Sequence, residues 1–252
     1  MNNPFSLEGK IALITGGTTG LGFAMAEAII NAGGKVVITA TTEKNIELAC
    51  EKLGKNCVGF FNDVSELNKL PQFVEKVEKE VGPIDILINN AGNHLKKYVL
   101  DTTDEEFFRV VNVHLLGGFS LTREVAKYMV KRKSGSIIFI TSMSAIFGLT
   151  NTVAYTASKS ALKGMVRELA SELSPDGVRV NAIAPGFIES KLMRQAFSND
   201  PEREKKVLSR TPMRKIGTPQ DIGDVAVFLS SPAAKYITGV ELPVDGGTSI
   251  GF

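Results

Sequence analysis

The chain has 252 residues, is 43% hydrophobic and carries 29 Lys and Arg against 27 Asp and Glu, a length and composition suited to one large α/β domain with a sizeable core. The even charge balance, with no Lys/Arg block, argues against nucleic acid or membrane as partners. Two cysteines, Cys50 and Cys57, cannot build a disulfide framework, and no Cys/His cluster has metal-site spacing, so reduced thiols and no metal are expected.

In chain order, short apolar runs alternate with longer amphipathic ones. IALIT at 11–15 leads into a helical stretch ending near Asn31, KVVIT at 35–39 into a helix over 43–53, and CVGFF at 57–61 into a helix over 65–80. DILIN at 85–89, SIIFIT at 136–141 and VRVNAIA at 178–184 continue the rhythm, and the tail ITGVELPVDGGTSIGF holds a last strand. Apolar runs without alternation are strands buried on both faces, which predicts a doubly wound parallel sheet of about seven strands with helices on both faces. Thr103 to Glu106 reads as a capping box, Thr218-Pro219 as a cap before a first-turn proline, and Gly33-Gly34 and Gly177 as helix stops. No linker or repeat interrupts the pattern, so residues 1–252 are expected to form a single Rossmann-type domain. The stretch 189–215 is the least regular and is the expected substrate-loop region, near the C-terminal strand ends where such folds bind ligands. MNNPFSLEGK has no apolar signal segment and no run reaches the ~20 apolar residues of a membrane helix, so a cytoplasmic protein is expected.

The segment TGGTTGLG at 15–22 spells T-G-x-x-x-G-x-G through Gly16, Gly20 and Gly22 rather than the common dinucleotide spacing. A strand before it and a helix after it are what a pyrophosphate-binding turn needs, because the glycines let backbone N–H groups and the positive helix end approach the phosphates. An ordinary glycine turn is the alternative for this loop alone.

Hydride chemistry at a carbonyl needs a proton donor at the carbonyl oxygen. Tyr155 and Lys159 in AYTASK are four residues apart and share a helix face, where an ammonium favours the phenolate and lowers the phenol pKa. Ser142, at the end of the fifth strand, can hold the substrate oxygen against Tyr155. Taken singly, Tyr155 also reads as a half-buried helix residue, Lys159 as a solvated charge and Ser142 as a strand-end cap. Of the two histidines, His114 lies in a helical run and reads as structural, while His94, just after NNAG, can line a substrate pocket.

TGGTTGLG, NNAG at 89–92, Asn112 in NVHLLG, Ser142, the Tyr155/Lys159 pair and the Pro185-Gly186 dipeptide occur in one order over essentially the whole chain. Together they resemble the short-chain dehydrogenase/reductase family, and most closely its subgroup of 3-oxoacyl-carrier-protein reductases and sugar-acid dehydrogenases. The resemblance implies a catalytic set of Asn112, Ser142, Tyr155 and Lys159, with Asn112 holding a relay water and Lys159 also contacting the nicotinamide ribose. It implies cofactor contacts at Gly16, Thr18, Thr19, Gly20, Leu21, Gly22, Thr41, Thr42, Asp63, Val64, Asn89, Ala91, Gly92, Tyr155, Lys159, Pro185, Gly186 and Ile188. Asp63-Val64 resembles the adenine contact, although Asp63 also reads as a helix-start cap. It further implies a homotetramer built partly from the helices of Asn112 and Tyr155.

An NAD-binding fold places an acid about 20 residues past the glycine loop. Here Ala40 stands at that place in ITATTEK, and Thr41, Thr42 and Lys44 can receive a 2′-phosphate instead, so NADP is expected over NAD. Thr19, where NADP-dependent relatives often carry arginine, weighs the other way. Substrate contacts are expected from His94, Lys96, Ser142, Ser144, Asn151 and Tyr155, with Lys96 or Lys97 facing a substrate carboxylate; both lysines also read as solvated loop charges. The polar Ser144, Thr150 and Asn151 favour a keto sugar acid such as a ketogluconate, whereas Ile146, Phe147 and Leu149 favour the alternative, a 3-oxoacyl thioester. A non-catalytic nucleotide-binding protein is the reading from another class, and retention of both Tyr155 and Lys159 argues against it.

Overall fold

The computed structural model describes residues 3–251. Residues 1, 2 and 252 of the expected domain lie outside the described residues. Seven strands, β1 (Ile11–Thr15), β2 (Lys35–Ala40), β3 (Cys57–Phe61), β4 (Ile86–Asn89), β5 (Gly135–Ile140), β6 (Val178–Pro185) and β7 (Glu241–Val244), form one sheet in the order β3-β2-β1-β4-β5-β6-β7. Every neighbouring pair is parallel. The strand order reverses direction between β1 and β4, so a crevice opens at the C-terminal ends of these strands.

The strand runs bury both faces because their side chains alternate between two cores. Leu13, Val37, Leu87, Phe139 and Val180 meet Val74 of α3 (Leu70–Glu80), Leu121 of α5 (Gly118–Arg132) and Leu162 of α6 (Val153–Leu173). Ile14, Ile38, Ile88, Ile138 and Ile183 meet Met25 of α1 (Gly20–Asn31), Ala49 of α2 (Glu43–Leu53) and Ile222 of α9 (Pro219–Ser230). α1 and α9 can pack closely because Gly223 lies against the Ala24 backbone, where an added Cβ would sit 2.9 Å from the carbonyl oxygen.

Thr103 and Glu106 cap each other at the start of α4 (Asp104–Val111), and at the start of α9 the Asp221 carboxylate accepts from the N–H and hydroxyl of Thr218. Two expectations are corrected. The third helix begins at Leu70 rather than 65, because Asp63 accepts from the N–H and hydroxyl of Ser65 and holds a turn there, while Pro71 fits only a first turn. The irregular stretch 189–215 holds two helices, α7 (Lys191–Asn199) and α8 (Pro201–Arg210). Ser190 caps the first through the Met193 N–H, and Asp200, followed by Pro201, caps the second through the Arg203 N–H. Among the described residues no helix is long and apolar enough to cross a membrane.

Candidate active site

The glycine loop is tied to the end of β4 through one threonine. Thr15 Oγ1 accepts from the N–H groups of Asn90 and Ala91, each at 3.0 Å, and Asn90 Nδ2 donates to the carbonyls of Thr15 and Gly16 at 2.9 and 3.1 Å. Gly22 is where α1 passes closest to this knot: an added Cβ would lie 2.2 Å from the Gly16 oxygen. Gly20 is required for another reason, its φ of +55°. Thr19 stands at the N-cap of α1 without a side-chain cap bond, and the first turn holds no acid, so the helix's leading N–H groups face outward uncompensated. This cradle fits the pyrophosphate of a dinucleotide. Thr18 and Thr19 also line a groove of about 290 Å³ in which Lys52 is the single charged lining residue among the described residues. Thr41 and Thr42 follow β2, but Thr42 forms no cap bond to α2 and Lys44 does not line the groove.

A cavity of about 390 Å³ lies at the C-terminal ends of β4, β5 and β6. Gly20, Leu21, Gly92, Pro185, Gly186 and Ile188 line it, together with His94, Ser142, Tyr155 and Lys159. Asn90, His114, Glu189, Ser190 and Met193 also line it. Lys159 is 4% exposed, and its Nζ donates to the Ile140 carbonyl at 2.6 Å while lying 5.6 Å from the Tyr155 ring centroid. Burial lowers its pKa to about 7. The expected lowering of the phenol is corrected: burial raises the Tyr155 pKa, opposed by a hydrogen bond with Ser142. The reason is desolvation, which disfavours phenolate and ammonium alike, with the ammonium turned towards a backbone oxygen.

The Tyr155 ring sits between two imidazoles, His94 at 4.8 Å and 57° and His114 at 5.4 Å and 85°. His114 is therefore part of the wall, and its role is missed by reading a plain helix. Residues 112–117 form a π-helical stretch between α4 and α5, which turns His114 inward to 6% exposure. Its Nε2 donates to the Asn93 carbonyl at 2.8 Å, and burial with Lys159 nearby lowers its pKa to about 3, so the ring is neutral. Gly92 makes room for it, since a Cβ there would lie 2.2 Å from Cε1. The His94 pKa is also lowered, first by burial and then by Lys96 and Lys159.

Other expected site residues lie elsewhere. The Asn89 side chain is buried and its Nδ2 donates to Thr122 Oγ1 at 2.9 Å, whereas Asn90 lines the cavity. Asn112 starts the π-helical stretch and donates to the Ser65 carbonyl at 3.4 Å, outside the cavity lining. Val64 is buried and Ala91 packs against the core. Ser144 is buried behind Ser142, which caps its N–H, and Asn151 is exposed at φ +64° with its carbonyl accepting from the Lys97 N–H. Neither lines the cavity. Lys97 is bound to Glu106 at 2.9 Å, which leaves Lys96 as the open lysine of that loop. Among the described residues no group of three His, Cys, Asp or Glu could hold a metal ion.

The family described as enoyl-(acyl carrier protein) reductase matches residues 16–249. The chain is 39% identical over 251 residues, 98% of each chain, to a 2-dehydro-3-deoxy-D-gluconate 5-dehydrogenase of Pseudoalteromonas atlantica. It is 37% identical over 242 residues to a 3-oxoacyl-[acyl-carrier-protein] reductase of Escherichia coli, 96% of this chain and 98% of the relative. A solved gluconate 5-dehydrogenase of Burkholderia cenocepacia, in complex with NADP and tartrate, superposes with a TM-score of 0.93 at 29% identity, over 99% of this chain and 98% of that one.

Proposed function

The chain belongs to the short-chain dehydrogenase/reductase family, and we propose that it interconverts a secondary alcohol and a ketone on a small keto sugar acid of the ketogluconate kind, with NADP(H) in preference to NAD(H). The observation that carries this is the convergence of Ser142, Tyr155 and Lys159 on one cavity beside the open N-terminus of α1. The NADP named for the Burkholderia structure, and the absence of an acid at Ala40, support the cofactor. The sugar-acid dehydrogenase from Pseudoalteromonas supports the substrate class.

A bound nicotinamide cofactor would supply the hydride. Its pyrophosphate would lie on Gly16, Gly20 and the first turn of α1, and its nicotinamide end beside Gly92, Pro185 and Ile188. Ser142 orients the substrate oxygen, and Tyr155, kept protonated by its raised pKa, gives it a proton. Lys159, its pKa lowered to about 7 by burial, favours the phenolate left behind to the extent that it holds its proton. Asn112, in the π-helical stretch before α5, is the residue that would hold a relay water for Lys159. Residues 1–252 act as one domain in this reading, and Glu189, Ser190 and Met193 bring the segment 189–215 to the substrate side. The exposed Phe108 and Phe119 of α4 and α5 support burial against another copy in a cytoplasmic homotetramer.

The test measures reduction of ketogluconates and acetoacetyl thioesters with NADPH and NADH. The expected result is NADPH-dependent reduction of a ketogluconate. A thioester favoured about tenfold or more in kcat/KM, about 1.4 kcal/mol, moves the assignment to a 3-oxoacyl reductase, a reading that the Escherichia coli relative supports.

A further inference from the structure

A second cavity, of about 450 Å³, adjoins the first and shares His94 with it. Its charged lining is one-sided. Lys96, Arg203, Lys206 and Arg210 face it, and no Asp or Glu does among the described residues. The sequence places three of these cations together. Arg203, Lys206 and Arg210 fall at i, i+3 and i+7 of α8, on one helix face. Val207, on the same face, is buried and seats the helix against the body of the protein.

Three nearby cations outside the lining are paired with carboxylates, while Arg214, just past the end of α8, donates to the Leu208 and Ser209 carbonyls. Lys97 pairs with Glu106, Lys205 with Glu202, and Arg194 with Glu189. Among the described residues, none of the four lining cations has a carboxylate within ion-pair distance. Arg210 instead lies with its guanidinium 4.2 Å from the Phe147 ring centroid, which steadies the plane of the group while leaving its N–H edge open. Four like charges around one mouth repel each other, and a concave wall concentrates their field. A single carboxylate would offset one of them. A doubly charged oxyanion, which offers several acceptor oxygens to arginine forks, matches the set better.

We propose that this second cavity is an oxyanion-holding subsite, formed by Lys96, Arg203, Lys206 and Arg210, for a dianionic group carried at the end of the substrate away from its reacting carbon. The group is a phosphate monoester or a pair of carboxylates. The inference rests on the reading of the first cavity as the place where the carbonyl reacts, and it extends that reading past a simple monoacid.

The test separates the two. With saturating NADP present to fill the pyrophosphate cradle, inorganic phosphate and tartrate are titrated calorimetrically into the wild type and into the triple variant Arg203→Gln/Lys206→Gln/Arg210→Gln. Both are also titrated into Lys205→Gln, which removes a charge from α8 outside the cavity lining. The expected result is saturable binding to the wild type, weakened about tenfold or more in the triple variant and less than about twofold in Lys205→Gln. The stronger of the two anions identifies phosphate or dicarboxylate as the source. In kinetics, the triple variant should lose about tenfold more kcat/KM on a dianionic ketone than on a neutral one, through KM. Equal affinities in wild type and triple variant, no binding to the wild type, or the same loss in Lys205→Gln would overturn the subsite. A wild type that binds phosphate in this way and yet reduces no sugar acid retires the proposed substrate class and leaves the subsite standing.

Discussion

Lys159 Nζ donates to the Ile140 carbonyl oxygen at 2.6 Å, inside a wall that leaves the lysine 4% exposed. Its pKa is about 7 in the folded protein against an ordinary 10.5, so the unfolded chain binds more protons between those values. Stability of the cofactor-free protein should therefore rise with pH across that window, and the burial penalty should return as pH falls towards 7. Replacing Lys159 with Met removes the ionisable group. Melting temperatures of both proteins at pH 6.5, 8 and 9.5 are the check, with the variant's advantage largest at the lowest pH; a difference independent of pH would refute the shift.

Tyr155→Phe keeps the ring between the two imidazoles and removes the hydroxyl. Turnover should fall by about 10²- to 10⁴-fold while NADPH affinity stays within about twofold. Steady-state kinetics and fluorescence titration measure the two, and near-normal turnover would remove Tyr155 from the chemistry.

Two glycines of the loop should respond differently to alanine. At Gly22 the new Cβ meets the Gly16 carbonyl at 2.2 Å, so α1 must move off the loop, at about 1–3 kcal/mol and with loss of NADP(H) binding. Gly20 has open space and loses only the ease of its positive φ, about 1–2 kcal/mol. Denaturant midpoints and calorimetric titration separate them; wild-type NADPH affinity in Gly22→Ala would contradict the close-approach argument.

Ala40→Asp places a carboxylate at the end of β2, able to accept from a ribose diol and to repel a 2′-phosphate. The NADPH to NADH ratio of kcat/KM should drop about tenfold or more. A wild type that already prefers NADH would reverse the reading of Ala40, Thr41 and Thr42.

The strands were legible because runs such as Ile11 to Thr15 are apolar on both faces, a pattern that only a covered parallel sheet explains. Tyr155, Lys159 and Ser142 were legible because a four-residue helical spacing and a strand end fix where side chains point. His114 was not, because nothing in NVHLLG marks a π-helical turn, and one extra residue per turn changes which face a side chain takes. Asn89 and Asn90 are adjacent and chemically identical, so only the pleat, unreadable at a strand's last residue, decides which one faces the cavity. The caps at Ser190 and Asp200 were present in the sequence as Ser before a helical run and Asp before Pro, signals masked by the polarity of the segment. The pKa of Tyr155 depends on how deeply the ring is packed, which residue spacing does not contain.

His94 borders both cavities, so a molecule that reaches from Tyr155 to the cations of α8 must pass along one imidazole. Length then becomes a quantity that the protein can distinguish apart from polarity. On the proposed subsite, a short ketone would occupy the first chamber alone, whereas a long one would tie its two ends to separate helices, α6 and α8. The same ring, neutral near physiological pH, would acquire charge in acid between a phenol and a lysine, so tolerance of length and tolerance of acidity meet at a single side chain.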